Sequence, residues 1–181
     1  GDYSKYSRWV TQIIASKAPL FEKASIDEFY LDLTGMDKFF NVFDWTVQLR
    51  KHIMDETKLP ISFGLGSNMI AKIATNQDKP NGYLHIPQGK EKDFLAPLPV
   101  DAIPGVGDHT TAVLHGMGIR TIGEVALMPM SELEDRLGKW GTDLWQKSQG
   151  IHHGAVNTYH EAKSISSEHT FEENKSDIVF L

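Results

Sequence analysis

The spacing of apolar positions shifts several times along the chain, and each shift marks an element. Tyr6, Val10, Ile13 and Ile14 recur at helical spacing, which predicts a helix over residues 4–16 that stops before Pro19. From Phe21 to Thr34 the period falls to two. Phe29, Leu31 and Leu33 alternate with Glu28, Tyr30 and Asp32, so two short strands are expected around a tight bend at Ser25-Ile26-Asp27-Glu28. Helical spacing returns over 38–57, carried by Phe39, Phe40, Phe43, Val47, Leu49 and Ile53. Pro60 opens a third strand, Ile61 to Gly66. A helix follows from Asn68 to Thr75, and Gly82 to Ile86 reads as a fourth strand. This order of elements describes an α+β layer, a sheet with helices on one face.

The pattern changes after Pro97. Between Val100 and Gly150 there is no strand signal, only short helical pieces broken by Gly105, Gly107, Gly116, Gly118, Gly123, Gly138 and Gly141. That texture predicts a small all-helical module. Residues 151–181 are polar, first rich in histidine and then acidic, and read as a linker leading out of it.

Composition narrows the class. Of the 181 residues, 40% are hydrophobic and 23% charged, enough to bury a core and incompatible with a mainly disordered chain. No apolar run approaches the ~18 residues of a membrane span, and no signal-peptide pattern is present, so a soluble chain is expected. The absence of cysteine excludes thiol nucleophiles, disulfides and thiolate metal sites, and fits a cytoplasmic protein. The net charge of −6 is uneven. Residues 1–90 carry 11 Lys+Arg against 10 Asp+Glu, and residues 91–181 carry 7 against 14. An acidic protein that grips nucleic acid must do so through backbone amides, metal ions or further segments. The start at Gly1-Asp2 and the finish on Ile178-Val179-Phe180-Leu181 give the expectation of a piece excised from something longer.

Three places carry candidate chemistry. Asp27 and Glu28 are adjacent at a strand entry, where neighbouring carboxylates converge as they do not within a regular strand. Paired carboxylates at a sheet edge suit a hard cation such as Mg²⁺, which takes oxygen ligands and keeps several waters; an ordinary hairpin turn accounts for the pair as well. Lys72 falls on a helix and Lys79 at the turn forced by Pro80 and Gly82. A lysine fixed there serves a triphosphate as a point charge, or is simply solvated. Finally, Ile103-Pro104-Gly105-Val106-Gly107 runs into the helix that starts at Asp108. Glycines in such a loop expose N–H groups to a phosphate without basic side chains, although a helix–helix turn without a ligand has the same appearance. His152, His153 and His160 have no acidic or thiolate partner at ligand spacing and read as solvated.

The order of these motifs is more specific than any one of them. Ser25-Ile26-Asp27-Glu28-Phe29-Tyr30-Leu31-Asp32-Leu33-Thr34 resembles the second palm motif of the Y-family, lesion-bypass DNA polymerases. Gly64-Leu65-Gly66-Ser67-Asn68, with Ala71-Lys72-Ile73-Ala74 and Lys79-Pro80-Asn81-Gly82, is similar to the next palm motif. Ile103-Pro104-Gly105-Val106-Gly107 resembles the thumb helix-hairpin-helix, and Lys163-Ser164-Ile165-Ser166 the link to the little finger. The resemblance implies a partial palm over residues 1–97, a helical thumb over 98–160 and a linker over 161–181 toward a missing little-finger domain.

It further implies that Asp27 and Glu28 are catalytic and ligate two Mg²⁺ ions, and that Lys79 meets the triphosphate of a deoxynucleoside triphosphate. Ile103, Gly105, Val106 and Gly107 would hold primer-template DNA, and a sliding clamp would be reached through missing segments. Phe29 departs from the family, which often has Ala there, and Asn76 stands where many members have Asp. Nothing in residues 1–24 matches the family's first motif, which supplies another metal-binding aspartate. The chain therefore reads as a fragment of an error-prone translesion polymerase, inactive by itself. The alternatives are a non-catalytic DNA-binding repair scaffold and a nucleotide cyclase-like palm, the latter disfavoured by the thumb hairpin.

Overall fold

The computed structural model describes residues 2–158; His160, the stretch Lys163 to Ser166 and the expected linker over 161–181 lie outside the described residues. Helix α1 (Asp2–Lys17) buries Ser7, Val10, Ile13 and Ile14 along one stripe, the helical period seen in the sequence. A hairpin follows, β1 (Leu20–Lys23) antiparallel to β2 (Phe29–Asp32), with Leu20 opposite Asp32 and Lys23 opposite Phe29.

Helix α2 (Val42–Thr57) starts later than its apolar pattern predicts. A single 3₁₀ turn at Met36–Lys38 comes first, and the Asn41 side chain then caps α2 by accepting from the Asp44 N–H at 3.2 Å. Phe39 and Phe40 sit in the gap between the two and are 79% and 48% exposed. The apolar residues used to place the helix start are thus surface residues of a turn.

Strand β3 (Phe63–Leu65) pairs in parallel with β4 (Tyr83–His85), and α3 (Asn68–Gln77) makes the crossover that parallel pairing requires. The contact between α3 and β3 is backbone against backbone. A Cβ at Gly64 would lie 2.0 Å from the Ala71 carbonyl oxygen and 2.7 Å from the Thr75 nitrogen, so only glycine admits the helix here. The strands form two separate two-stranded ladders, β1–β2 and β3–β4.

Beyond α4 (Glu91–Leu95) and a 3₁₀ turn at Val100–Ala102, the chain is helical: α5 (Asp108–Gly116), α6 (Ile122–Leu127), α7 (Met130–Leu137) and α8 (Lys139–Ser148). Thr121 and Glu124 close a capping box at the start of α6. Trp140 and Trp145 pack, partly buried, against the core of this module.

Two apolar clusters hold the molecule together. Val10, Ile13, Ile14, Leu49 and Ile53 join α1 to α2, with Phe21, Phe29 and Leu31 of the hairpin against them. The second cluster is continuous from Met69, Ile70, Ile73 and Ala74 of α3, through Leu95 and Val100, to Leu114, Leu133 and Leu144. After α8 the chain turns back. The Gly154 carbonyl accepts from the Asn68 side chain at 2.7 Å, and the Asn157 N–H donates to Glu22 Oε2 at 2.7 Å. Among the described residues no helix is long and apolar enough to cross a membrane.

Candidate functional site

The hairpin end is shaped by one hydroxyl. Ser25 Oγ donates to Asp27 Oδ1 at 2.6 Å and accepts from the N–H groups of Asp27 at 3.3 Å and Glu28 at 3.1 Å. The Ala24 and Ser25 N–H groups meanwhile donate to the Glu28 carbonyl, at 3.0 and 3.3 Å. Local bonds of this kind hold a bend before the ladder starts. The bend leaves Asp27 exposed and Glu28 half-buried.

Glu28 is engaged across the fold. Lys72 Nζ on α3 lies 2.6 Å from its Oε1, and the Tyr30 hydroxyl donates to the same oxygen at 3.0 Å. The Lys72 ammonium stands 5.8 Å from the Tyr30 ring centre. Burial pushes the Glu28 carboxyl up, but the hydrogen bonds from Lys72 and Tyr30 and the charges of Lys72 and Lys79 pull it down by more, below the usual carboxylate range. The bond to Glu28 is also the main reason the Lys72 amine is raised, burial opposing it.

Lys79 is exposed, in the turn that follows α3. That turn is tied down by Arg50 of α2. The Arg50 guanidinium donates to Asn81 Oδ1 at 2.7 Å, to the Asn81 carbonyl, and to the Ile61 carbonyl at 2.7 Å. It also lies 5.4 Å from the Tyr83 ring centre. Arg50 was not marked by the sequence pattern, because an arginine on an amphipathic helix carries no sign of a turn thirty residues on.

Phe29, the departure beside the carboxylates, faces away from them. It packs in the α1–α2 cluster with Lys23 Nζ 5.6 Å from its ring. The period of two puts Glu28 and Tyr30 on one face of the strand and Phe29 on the other. The larger side chain therefore adds to the core and leaves the carboxylate face alone. Asn76 is exposed at the end of α3.

The glycine loop is built as a rigid turn. Ile103 and Val106 are buried, at 1% and 8% exposure, and the Val106 N–H closes the turn on the Ile103 carbonyl at 3.0 Å. Gly105 has φ +97°, and a Cβ there would meet the Trp140 ring at 2.9 Å. Lys147 supports the loop from beneath. Its Nζ lies 3.4 Å from the Pro104 carbonyl, 2.8 Å from Asp143 Oδ2 and 4.5 Å from the Trp140 ring centre. Gly107 is the N-cap of α5, where no side chain caps the helix, and the first N–H groups of a helix have no intrahelical partner. Among the described residues no hydrogen bond or ion pair joins this loop to the Asp27–Glu28 pair.

The structure thus brings Glu28, Tyr30 and Lys72 together, with the charge of Lys79 in range, and keeps the loop 103–107 as a separate surface. As a cation site the hairpin end offers oxygen donors only: the exposed Asp27 carboxylate and Glu28 Oε2, which receives no hydrogen bond among the described residues. That donor chemistry fits a hard divalent ion held by one or two carboxylates with water and substrate phosphates. No group of three or more His, Cys, Asp or Glu side chains placed to hold a metal occurs among the described residues.

Comparison with known proteins covers both surfaces. A family model described as the impB/mucB/samB family matches residues 1–76, and one described as the thumb domain of DNA polymerase-iota matches residues 101–152. The chain is 36% identical over 181 residues to the DNA polymerase IV of Dehalococcoides mccartyi strain CBDB1, which takes in 99% of this chain and 46% of that protein. It is 37% identical over 178 residues to the DNA polymerase IV of Xanthomonas campestris pv. campestris strain 8004, covering 96% of this chain and 50% of the relative. The chain spans about half the length of the curated relatives it matches.

Among solved structures it is similar to DinB from Sulfolobus solfataricus, with a TM-score of 0.77, 28% identity, and coverage of 86% of this chain and 47% of the other. It is equally similar to an insertion ternary complex of Dbh DNA polymerase, with a TM-score of 0.77, 28% identity, and coverage of 85% and 46%.

Proposed function

From the premise that this chain belongs to the Y-family of DNA polymerases, we propose that it is part of a template-directed, error-prone, lesion-bypassing DNA polymerase. The observation that carries the reading is the meeting of two distant motifs. The Asp27–Glu28 hairpin and the α3 segment lie 44 residues apart in sequence and join through the 2.6 Å contact between Glu28 and Lys72, with Lys79 close enough to lower the Glu28 carboxyl. A carboxylate in contact with one lysine and within range of a second, beside the exposed Asp27, suits a metal-bound triphosphate, whose cation and anion each find the opposite charge.

In this reading residues 1–97 are a partial palm, 98–160 the thumb and 161–181 a linker toward a little finger. Two Mg²⁺ ions, when bound, would activate the primer 3′-hydroxyl and steady the leaving pyrophosphate. Asp27, exposed at the bend, would hold both ions, and Glu28 the one beside the primer terminus. Lys79 takes the triphosphate of the incoming deoxynucleotide as a point charge. The amides of the loop built on Ile103, Gly105, Val106 and Gly107 take backbone phosphates of the primer-template duplex. These roles are positional and electrostatic, the means by which phosphoryl transfer is accelerated. With only two carboxylates at the hairpin end, the 181 residues alone are expected to be inactive. The protein is proposed to be cytoplasmic, with any sliding clamp contacting segments beyond this chain.

The test is incorporation of single deoxynucleotides opposite each template base, using the protein with its native flanking segments restored, Mg²⁺ present, beside Asp27→Ala. Template-directed extension that is lost in the variant supports the polymerase. Extension by neither protein, with duplex binding intact, would make the chain a DNA-binding scaffold.

A further inference from the structure

Lys72 has no role in the reading above beyond its charge, yet it is among the best-placed side chains of the hairpin end. We infer that Lys72 is a positioning residue for Glu28: with Tyr30 it fixes one carboxylate oxygen so that the other is aimed at a divalent cation. The inference rests on the proposed polymerase centre.

Both donors fall on one atom. Lys72 Nζ at 2.6 Å and the Tyr30 hydroxyl at 3.0 Å both bind Oε1, and Oε2 receives no hydrogen bond among the described residues. A glutamate otherwise free to turn about three side-chain bonds is thereby left with one orientation. The two anchors are themselves fixed. Tyr30 is in β2, two residues from Glu28 and on the same strand face. Lys72 is on α3, which cannot roll or withdraw, because its backbone touches β3 at Gly64 and Met69, Ile70, Ile73 and Ala74 are buried beneath it. Hydrogen-bonded partners of a ligating carboxylate commonly set its direction and tune the metal. The ammonium also repels a cation, but the two side chains are 35% and 40% exposed, so water screens that repulsion. Orientation is therefore the larger effect.

The alternative is a simple tie between β2 and α3, and the two differ in what they move. Mn²⁺ binding would be measured by electron paramagnetic resonance, together with Tm, on the protein with native flanking segments. The variants are Lys72→Met, Lys72→Arg and Glu28→Gln. Lys72→Met is expected to weaken Mn²⁺ binding ~10-fold or more, with Lys72→Arg recovering most of it, as for other residues that hold a metal ligand from behind. Unchanged Mn²⁺ affinity in Lys72→Met, with Tm lowered or not, would overturn the inference, as would Lys72→Arg behaving like Lys72→Met. Wild-type protein that binds Mn²⁺ no better than Glu28→Gln would overturn the proposed metal centre, and the inference with it.

Discussion

At the scale of single residues, contact distances and charge partners set the expectations. Gly64 leaves no space for a methyl group, since Cβ would lie 2.0 Å from a backbone oxygen. Gly64→Ala must push α3 off β3 and is expected to lower stability by ~1–3 kcal/mol or more in urea denaturation, the range for overpacked sites. The Glu28–Lys72 pair makes a weaker and pH-dependent contribution. The Glu28 carboxyl is depressed, so its stabilisation is present above the unfolded value and fades as pH falls through the folded one. The Lys72 amine is raised, so its share is present below its unfolded value and fades as pH rises beyond about 10.4. With both side chains more than a third exposed, the pair contributes about 1 kcal/mol at most. The stability gap between wild type and Glu28→Gln, followed by urea denaturation, should therefore be small at pH 7 and shrink below about pH 4. A gap that widens on acidification would contradict the pairing.

At the scale of elements, period and punctuation carried most of the fold. Helix α1, the β1–β2 hairpin, α3 and the two short strands around it lie where alternation and helical spacing put them. The short helices after Pro97 follow the glycines. The start of α2 departs from the apolar pattern because Phe39 and Phe40 extend that pattern while lying on the surface, and Asn41 rather than the pattern begins the helix. Cross-chain ties were illegible for a different reason. Nothing local in Glu28 names Lys72, nothing in Arg50 names Asn81, and the polar stretch after Ile151 does not reveal that it returns to Asn68 and Glu22. Local capping, by contrast, is readable and testable. Thr121 accepts from the Glu124 N–H in a capping box. Thr121→Ala is expected to cost ~1 kcal/mol of stability in thermal or urea unfolding, the usual value of a lost N-cap.

At the scale of the whole molecule, the distribution of charge decides how strongly the chain can hold a nucleic acid. The second half carries twice as many acidic as basic residues, 14 against 7, and the loop at 103–107 offers main-chain donors rather than a basic surface. Duplex binding by residues 1–181 is expected to be weak, with a shallow salt dependence of roughly 0.9 per phosphate engaged over only a few phosphates. A steep slope would mean that another surface grips the DNA.

The proposed centre has Asp27 and Glu28 holding two divalent ions. Anomalous diffraction from Mn²⁺ locates such ions in crystals of the protein with its native flanking segments, primer-template DNA and a non-hydrolysable deoxynucleotide. Two anomalous peaks ~3.5–4 Å apart are expected, with Asp27 ligating both and Glu28 one. Peaks only beyond ligand distance of Asp27 and Glu28, with the nucleotide bound, would contradict it.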